Sequence, residues 1–104
     1  MKRLENLLEE VDDFELQLKH LGAQDIKHHS GEKSLSGDFS TYYWLSGDYN
    51  FKVQVLDADG SLYSFDMGKG IRTVADYRND KWINLPSRGS PDWAVFDKYR
   101  RVFE

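Results

Sequence analysis

The stretch LSGDFSTYYWLSGDYN, residues 35–50, decides the fold. Leu-Ser-Gly-Asp-Phe at 35–39 returns as Leu-Ser-Gly-Asp-Tyr at 45–49, with Ser-Thr-Tyr-Tyr-Trp between. Gly takes positive φ freely, and Ser and Asp bond to nearby backbone, so each Ser-Gly-Asp unit reads as a turn. Phe39 to Leu45 has the aromatic and β-branched content of a strand. Ten residues is the spacing of one strand plus one turn in a meander. A repeat architecture needs at least three units, and only two occur here, so the duplication is turn chemistry rather than a repeat. Along that strand Tyr42 and Trp44 share one face, Tyr43 and Leu45 the other.

Toward the C-terminus, Phe51 to Leu56 alternates apolar with polar, and Asp57-Ala58-Asp59-Gly60 is a tight turn signal. Ser61 to Asp66 continues as the next strand, stopped by Gly68 and Gly70, with Gly68-Lys69-Gly70 read as a hinge between strand and helix. Residues 71–82 are ambiguous. Thr73-Val74-Ala75-Asp76 resembles a capping box that opens a short helix through Trp82, while Ile71 to Tyr77 alternates as a strand does. Ser90-Pro91-Asp92 is a helix start, with Ser as cap, Pro at the first position and an acid in the first turn. Trp93, Val95, Phe96, Tyr99, Val102 and Phe103 then give that helix a wide apolar arc.

Toward the N-terminus, Ser30 to Asp38 is rich in Ser, Gly and charge and reads as a loop, preceded by a short strand at 25–29. Residues 2–21 read as one amphipathic helix, because Leu4, Leu7, Leu8, Val11, Phe14, Leu18 and Leu21 recur at three- and four-residue steps. Gly22 suits its C-terminal cap. Glu5, Glu9, Asp12 and Asp13 fall on the opposite, solvent-facing side, together with Leu16, the one large apolar residue there. The sequence therefore predicts a single α+β domain over 1–104. It has an N-terminal helix, a three- or four-stranded antiparallel meander, and one or two C-terminal helices packed on one sheet face.

Composition bounds the chemistry. With no cysteine, disulfides, thiolate catalysis and cysteine-based zinc sites are excluded together. No apolar run approaches the ~20 residues of a membrane span and no signal-peptide pattern opens the chain, so a cytoplasmic protein of bacterial or phage type is expected, without a membrane partner. Net charge is −4. Residues 1–21 carry three basic against six acidic groups, as do residues 22–60, while 61–104 carry eight basic against six acidic. An acidic first half opposes general nucleic-acid affinity and points to a basic partner.

Catalytic and cofactor signatures are not found. Gly68-Lys69-Gly70 lacks the spacing of a phosphate loop, and Asp57-Ala58-Asp59-Gly60 lacks the remaining ligands of a calcium loop. His28 and His29 are adjacent and point to opposite faces of a strand, and His20 ends the first helix, so no metal is expected. The G-x-S-x-G elbow is missing, and no catalytic residue or cofactor is assigned. The aromatic strand is the functional candidate, either as core with a surface ring or as a protein interface with Tyr43 exposed. Base stacking is disfavoured because Lys52 is the only basic residue in 39–66, against four aspartates from Asp48 to Asp66. A rival nucleic-acid surface collects Arg72, Arg78, Lys81, Arg88, Lys98, Arg100 and Arg101, interleaved with acids.

Ser40-Thr41-Tyr42 on one strand, a hairpin, and Val53-Gln54-Val55-Leu56-Asp57 on the next resemble a small domain of phage- and plasmid-borne accessory proteins. Gln54, Leu56 and Ala58 stand where that pattern has Arg, Ser and His, so no functional residue carries over. The resemblance implies a mobile-element origin. Together these readings predict a non-enzymatic protein-binding domain, an inhibitor or accessory factor that occupies a host protein. Its target would have a basic surface, such as the nucleic-acid channel of a CRISPR effector. The contacts expected are Glu5, Glu9, Asp12, Asp13, Leu16 and Tyr43. Partner identity and oligomeric state stay open.

Overall fold

A computed structural model describes residues 13–104. Helix α1 (Asp13–His20) leads into strands β1 (Gln24–Ser34), β2 (Gly37–Ser46), β3 (Tyr49–Leu56), β4 (Leu62–Lys69), β5 (Arg72–Arg78) and β6 (Lys81–Asn84). Helix α2 (Pro91–Arg100) and a 3-10 turn (Arg101–Phe103) complete the chain. The fold is α+β, with a six-stranded antiparallel sheet whose strands pair in sequence order. The part of the expected first helix before Asp13 lies outside the described residues.

The turn reading of residues 35–50 holds, and the two units are not structurally equivalent. Register pairs Ser34 with Gly37 and Ser46 with Tyr49, so the first connection is Leu35-Ser36 and the second Gly47-Asp48. Leu35 is accordingly fully exposed at a hairpin tip, while Leu45 sits within β2. A two-residue offset within identical sequence is what turn chemistry permits and a structural repeat does not.

The meander is larger than expected. Residues 30–34, read as loop, belong to β1, because β1 is an edge strand whose outer side meets water and tolerates Ser, Lys and Glu. Gly31 does not break it. At φ +75 it sits in a bulge between His29 and Glu32, where one extra residue is accommodated. Residues 72–84 form β5 and β6, so Thr73–Asp76 is no capping box; Gly68 and Lys69 belong to β4, and Gly70-Ile71 joins two strands rather than a strand and a helix. Asn79 and Asp80 both have positive φ (54° and 63°), the requirement of a type I′ hairpin. Asp80→Gly is expected to raise stability by about 0.5–1 kcal/mol, since glycine removes the left-handed penalty at some cost in unfolded-chain entropy. Urea denaturation checks it.

Both described helices cover one face of the sheet. Tyr42, Trp44, Phe51, Val53, Val55, Phe65 and Met67 from the central strands meet Leu18 of α1 and Phe96 and Tyr99 of α2. Ser90 caps α2 as its sequence signalled, its hydroxyl accepting from the Trp93 amide, with Pro91 at the first position. Asp92 in that first turn accepts from the Tyr49 hydroxyl and from Arg72 Nη2 (3.1 Å), which ties α2 to the sheet. The Tyr49 bond, then Arg72, holds the Asp92 carboxyl below the usual aspartate range, and the same bond raises the Tyr49 phenol. Tyr99 joins three elements: its hydroxyl donates to the Leu21 carbonyl (3.2 Å) and lies 3.1 Å from Ser46 Oγ.

Candidate functional site

Among the described residues, no helix covers the opposite sheet face. Because successive side chains point to opposite sides, burying Tyr42, Trp44, Phe51, Val53 and Phe65 turns Tyr43, Lys52 and Asp66 outward. Tyr43 is 36% exposed and Leu45 42%, against 2% and 1% for Tyr42 and Trp44. The face assignment made from sequence is thus the one the fold adopts. The adjacent histidines divide in the same way. His28 stacks on Tyr42 at 4.3 Å and approaches Glu15 of α1 at 3.2 Å, while His29 meets the Tyr43 ring edge-on at 5.9 Å.

One cross-strand row spans the whole sheet on this open face. Lys27 pairs with Tyr43, Tyr43 with Lys52, Lys52 with Asp66, Asp66 with Asp76, and Asp76 with Asn84. The row is positive over β1 to β3 and negative over β4 and β5. Lys52 Nζ lies 6.0 Å from the Tyr43 ring centroid, and Arg78 pairs with Asp76 at 3.2 Å. An open groove of about 820 Å³ runs along the positive half and reaches Asp66.

The neighbouring row is a hydrogen-bonded ladder. Thr41 donates to Glu32 Oε1 at 2.6 Å and accepts from Gln54 Nε2 at 3.3 Å, and Ser64 donates to Gln54 Oε1 at 2.7 Å. Thr41 is 1% exposed although it lies on the open face, because these partners close over it. The ladder holds β1 to β4 in one register, which positions the charged row beside it.

On this face the carboxyl of Asp66 is electrostatically perturbed. Partial desolvation in the groove, then the charge of Asp76, raise its carboxyl above the ordinary aspartate range, while Lys52 and Arg78 oppose this. A carboxyl with a raised folded pKa binds its proton more tightly when folded. It therefore favours folding in acid and costs stability as pH rises through the folded value. Asp66→Asn is expected to stabilise the fold at neutral pH, by less than about 1 kcal/mol because the side chain stays screened by solvent. The gain should fade below about pH 4, where the unfolded aspartate also protonates. Stability curves of both proteins from pH 3 to pH 8 check this.

The residues singled out from sequence do not form one surface. Asp13 and Leu16 are exposed on α1, on the helix-covered side, and Tyr43 is exposed on the other. Glu5, Glu9 and Asp12 lie outside the described residues. The basic set is dispersed as well. Arg72 and Arg78 stand at opposite ends of β5, about 20 Å apart at the rise of a strand. Arg72 is bonded to Asp92, Arg78 to Asp76, Arg100 to Asp97 and Glu104, and Arg101 to Asp97, so four of these charges are matched within the chain. Arg88 lies over the Trp93 ring at 5.0 Å, and Lys98 donates to the Leu21 carbonyl at 3.2 Å. Lys81 is exposed beside the β5–β6 turn.

Sequence reasoning did not single out Lys27, Lys52, Asp66 and Asp76 as one row. Their alternation was visible, but alignment across five strand pairs depends on turn lengths and bulges. Among the described residues no three His, Asp or Glu side chains are grouped to hold a metal, and no helix is long and apolar enough to cross a membrane. Comparison with protein-family models, curated proteins and solved structures finds no match to this chain.

Proposed function

We propose that this chain is a non-enzymatic protein-binding domain whose docking surface is the sheet face centred on Tyr43, which neither described helix covers. The observation that carries the reading is that face itself: exposed Tyr43 and Leu45 framed by Lys27, Lys52 and Asp66 on a register-locked sheet. Tyrosine flanked by charge is the composition of an interface anchor. The sheet edges support a face rather than an edge as the contact. β1 carries two bulges, at Asp25 (φ +54) and Gly31, and β6 has four residues, so neither edge offers a long regular ladder for an added strand.

A second docking surface on α1 is favoured by Asp13 and Leu16, exposed and three residues apart, hence neighbours on its outer side. The sequence adds further carboxylates at Glu5, Glu9 and Asp12, outside the described residues, and the acidic surface they would extend suits an inhibitor or accessory protein of a mobile element that occupies a basic host surface.

The test is capture from bacterial lysate, with and without nuclease treatment, by immobilised wild type, Tyr43→Ala, and a helix variant with Asp13→Lys and Leu16→Ala. Loss of a specific captured protein with Tyr43→Ala, by roughly 30-fold for a 2 kcal/mol anchor, supports the sheet face. Loss with the helix variant alone moves the function to α1. Capture that disappears on nuclease treatment sinks both readings in favour of nucleic acid.

A further inference from the structure

The centre of the row on the open face sets a cation beside an anion, Lys52 beside Asp66, and that pair is complementary to its own two-fold image. We infer that the partner seated on this face is a second copy of the chain, packed sheet to sheet about a two-fold axis parallel to the strands between β3 and β4. The inference rests on the open face being the docking surface and names its occupant.

The geometry follows from register. A two-fold axis in the interface plane, running along the strands between β3 and β4, exchanges each position left of the axis with the same level right of it. Lys52 then stands over Asp66 of the second copy, and Asp66 over its Lys52, so each contact occurs twice. One strand further out, Tyr43 faces Asp76 of the second copy, a hydroxyl donor opposite a carboxylate. In the ladder row, Gln54 comes over Ser64. An axis perpendicular to the strands would instead set Lys52 over Lys52 and Asp66 over Asp66, so charge selects the first arrangement.

The size of the face agrees. Six strands about 4.8 Å apart and about 25 Å long present roughly 700 Å² on each copy, or about 1,400 Å² in a pair. Specific interfaces bury about 1,200–2,000 Å².

Sedimentation velocity over a range of micromolar concentrations tests this on the full chain. The wild type is expected at about twice its 12.2 kDa mass, dissociating on dilution. Lys52→Asp and Asp66→Lys each place like charges opposite one another twice, and each should weaken the dimer at least tenfold. Mixing the two variants restores both pairs, so an equimolar mixture should form a heterodimer where either alone is monomeric. The double variant with both exchanges keeps the pairing within and between chains and should dimerise as the wild type does, which covers the case in which a single variant folds poorly. A monomeric wild type at every concentration overturns the inference. So does a dimer that neither single variant disturbs. If the monomer still captures a protein in a Tyr43-dependent way, the docking-face reading survives without the second copy; a monomer that captures nothing removes both.

Discussion

Trp44→Ala is expected to lower stability by about 3–5 kcal/mol, and Tyr43→Ala, one residue away, by less than about 1 kcal/mol. Trp44 is 1% exposed and lies at the centre of the aromatic core. It stacks on Phe51 at 4.6 Å with planes 8° apart, and its ring centroid is 5.4 Å from Tyr99 and 5.9 Å from Phe103. Truncation opens a cavity bordered by β3, α2 and the 3-10 turn at once, and these rings cannot all move inward to fill it. A loss of that size is a large share of the 5–15 kcal/mol that holds a domain folded. Trp44→Phe should cost much less than the alanine variant. Trp44 Nε1 is buried without an acceptor among the described residues, so the smaller ring also removes an unsatisfied donor. Urea midpoints of the three variants order the effects. A Tyr43→Ala loss equal to that of Trp44→Ala would contradict the assignment of faces.

The same contrast shows what could be read from the sequence. The turns at 35–38, 46–48 and 57–60, the strands they bound and the cap at Ser90 are local features, written in Gly, Asp, Ser and Pro at the required positions. The cap and the turns at 46–48 and 57–60 are found where the sequence places them, whereas the first turn falls at Leu35-Ser36, with Gly37 and Asp38 already in β2. Residues 30–34 and 71–84 were misread or left ambiguous because their strand character is not local. β1 owes its length to pairing with β2 and to bulges that absorb Gly31, and β5 and β6 owe theirs to a hairpin at Asn79-Asp80. Asn followed by Asp between two alternating segments was the available signal for that hairpin. The site was legible in one respect, the outward direction of Tyr43 and Leu45. The row running from Lys27 to Asn84 was hidden, since five pairings, four of which carry a register shift, must be known before its residues can be aligned. Single side chains were readable; their alignment across strands was not.

The second large effect is expected at Leu18. Leu18→Ala should cost about 2–5 kcal/mol, whereas Leu16→Ala should change stability by no more than about 0.5 kcal/mol. The two residues lie about 200° apart around α1, which is why Leu18 is 0% exposed and Leu16 44%. Within α1, Leu18 is the buried residue, and Phe14 adds its ring against Phe103 at 5.0 Å and Tyr42 at 5.5 Å. A described helix of eight residues is too short to persist without such packing. Removing the Leu18 side chain is therefore expected to release α1 in part before the sheet unfolds, seen as hydrogen exchange that quickens at 15–20 more than in β3 and β4. This separates the two docking surfaces. If α1 carries the partner, Leu18→Ala weakens capture while the sheet stays folded. If the open sheet face carries it, capture and dimerisation persist with α1 loosened, because Tyr43, Lys52 and Asp66 belong to strands that hold one another in register. Equal exchange in every element after Leu18→Ala would mean that α1 and the sheet open only together, and binding by this variant could then not be assigned to either face.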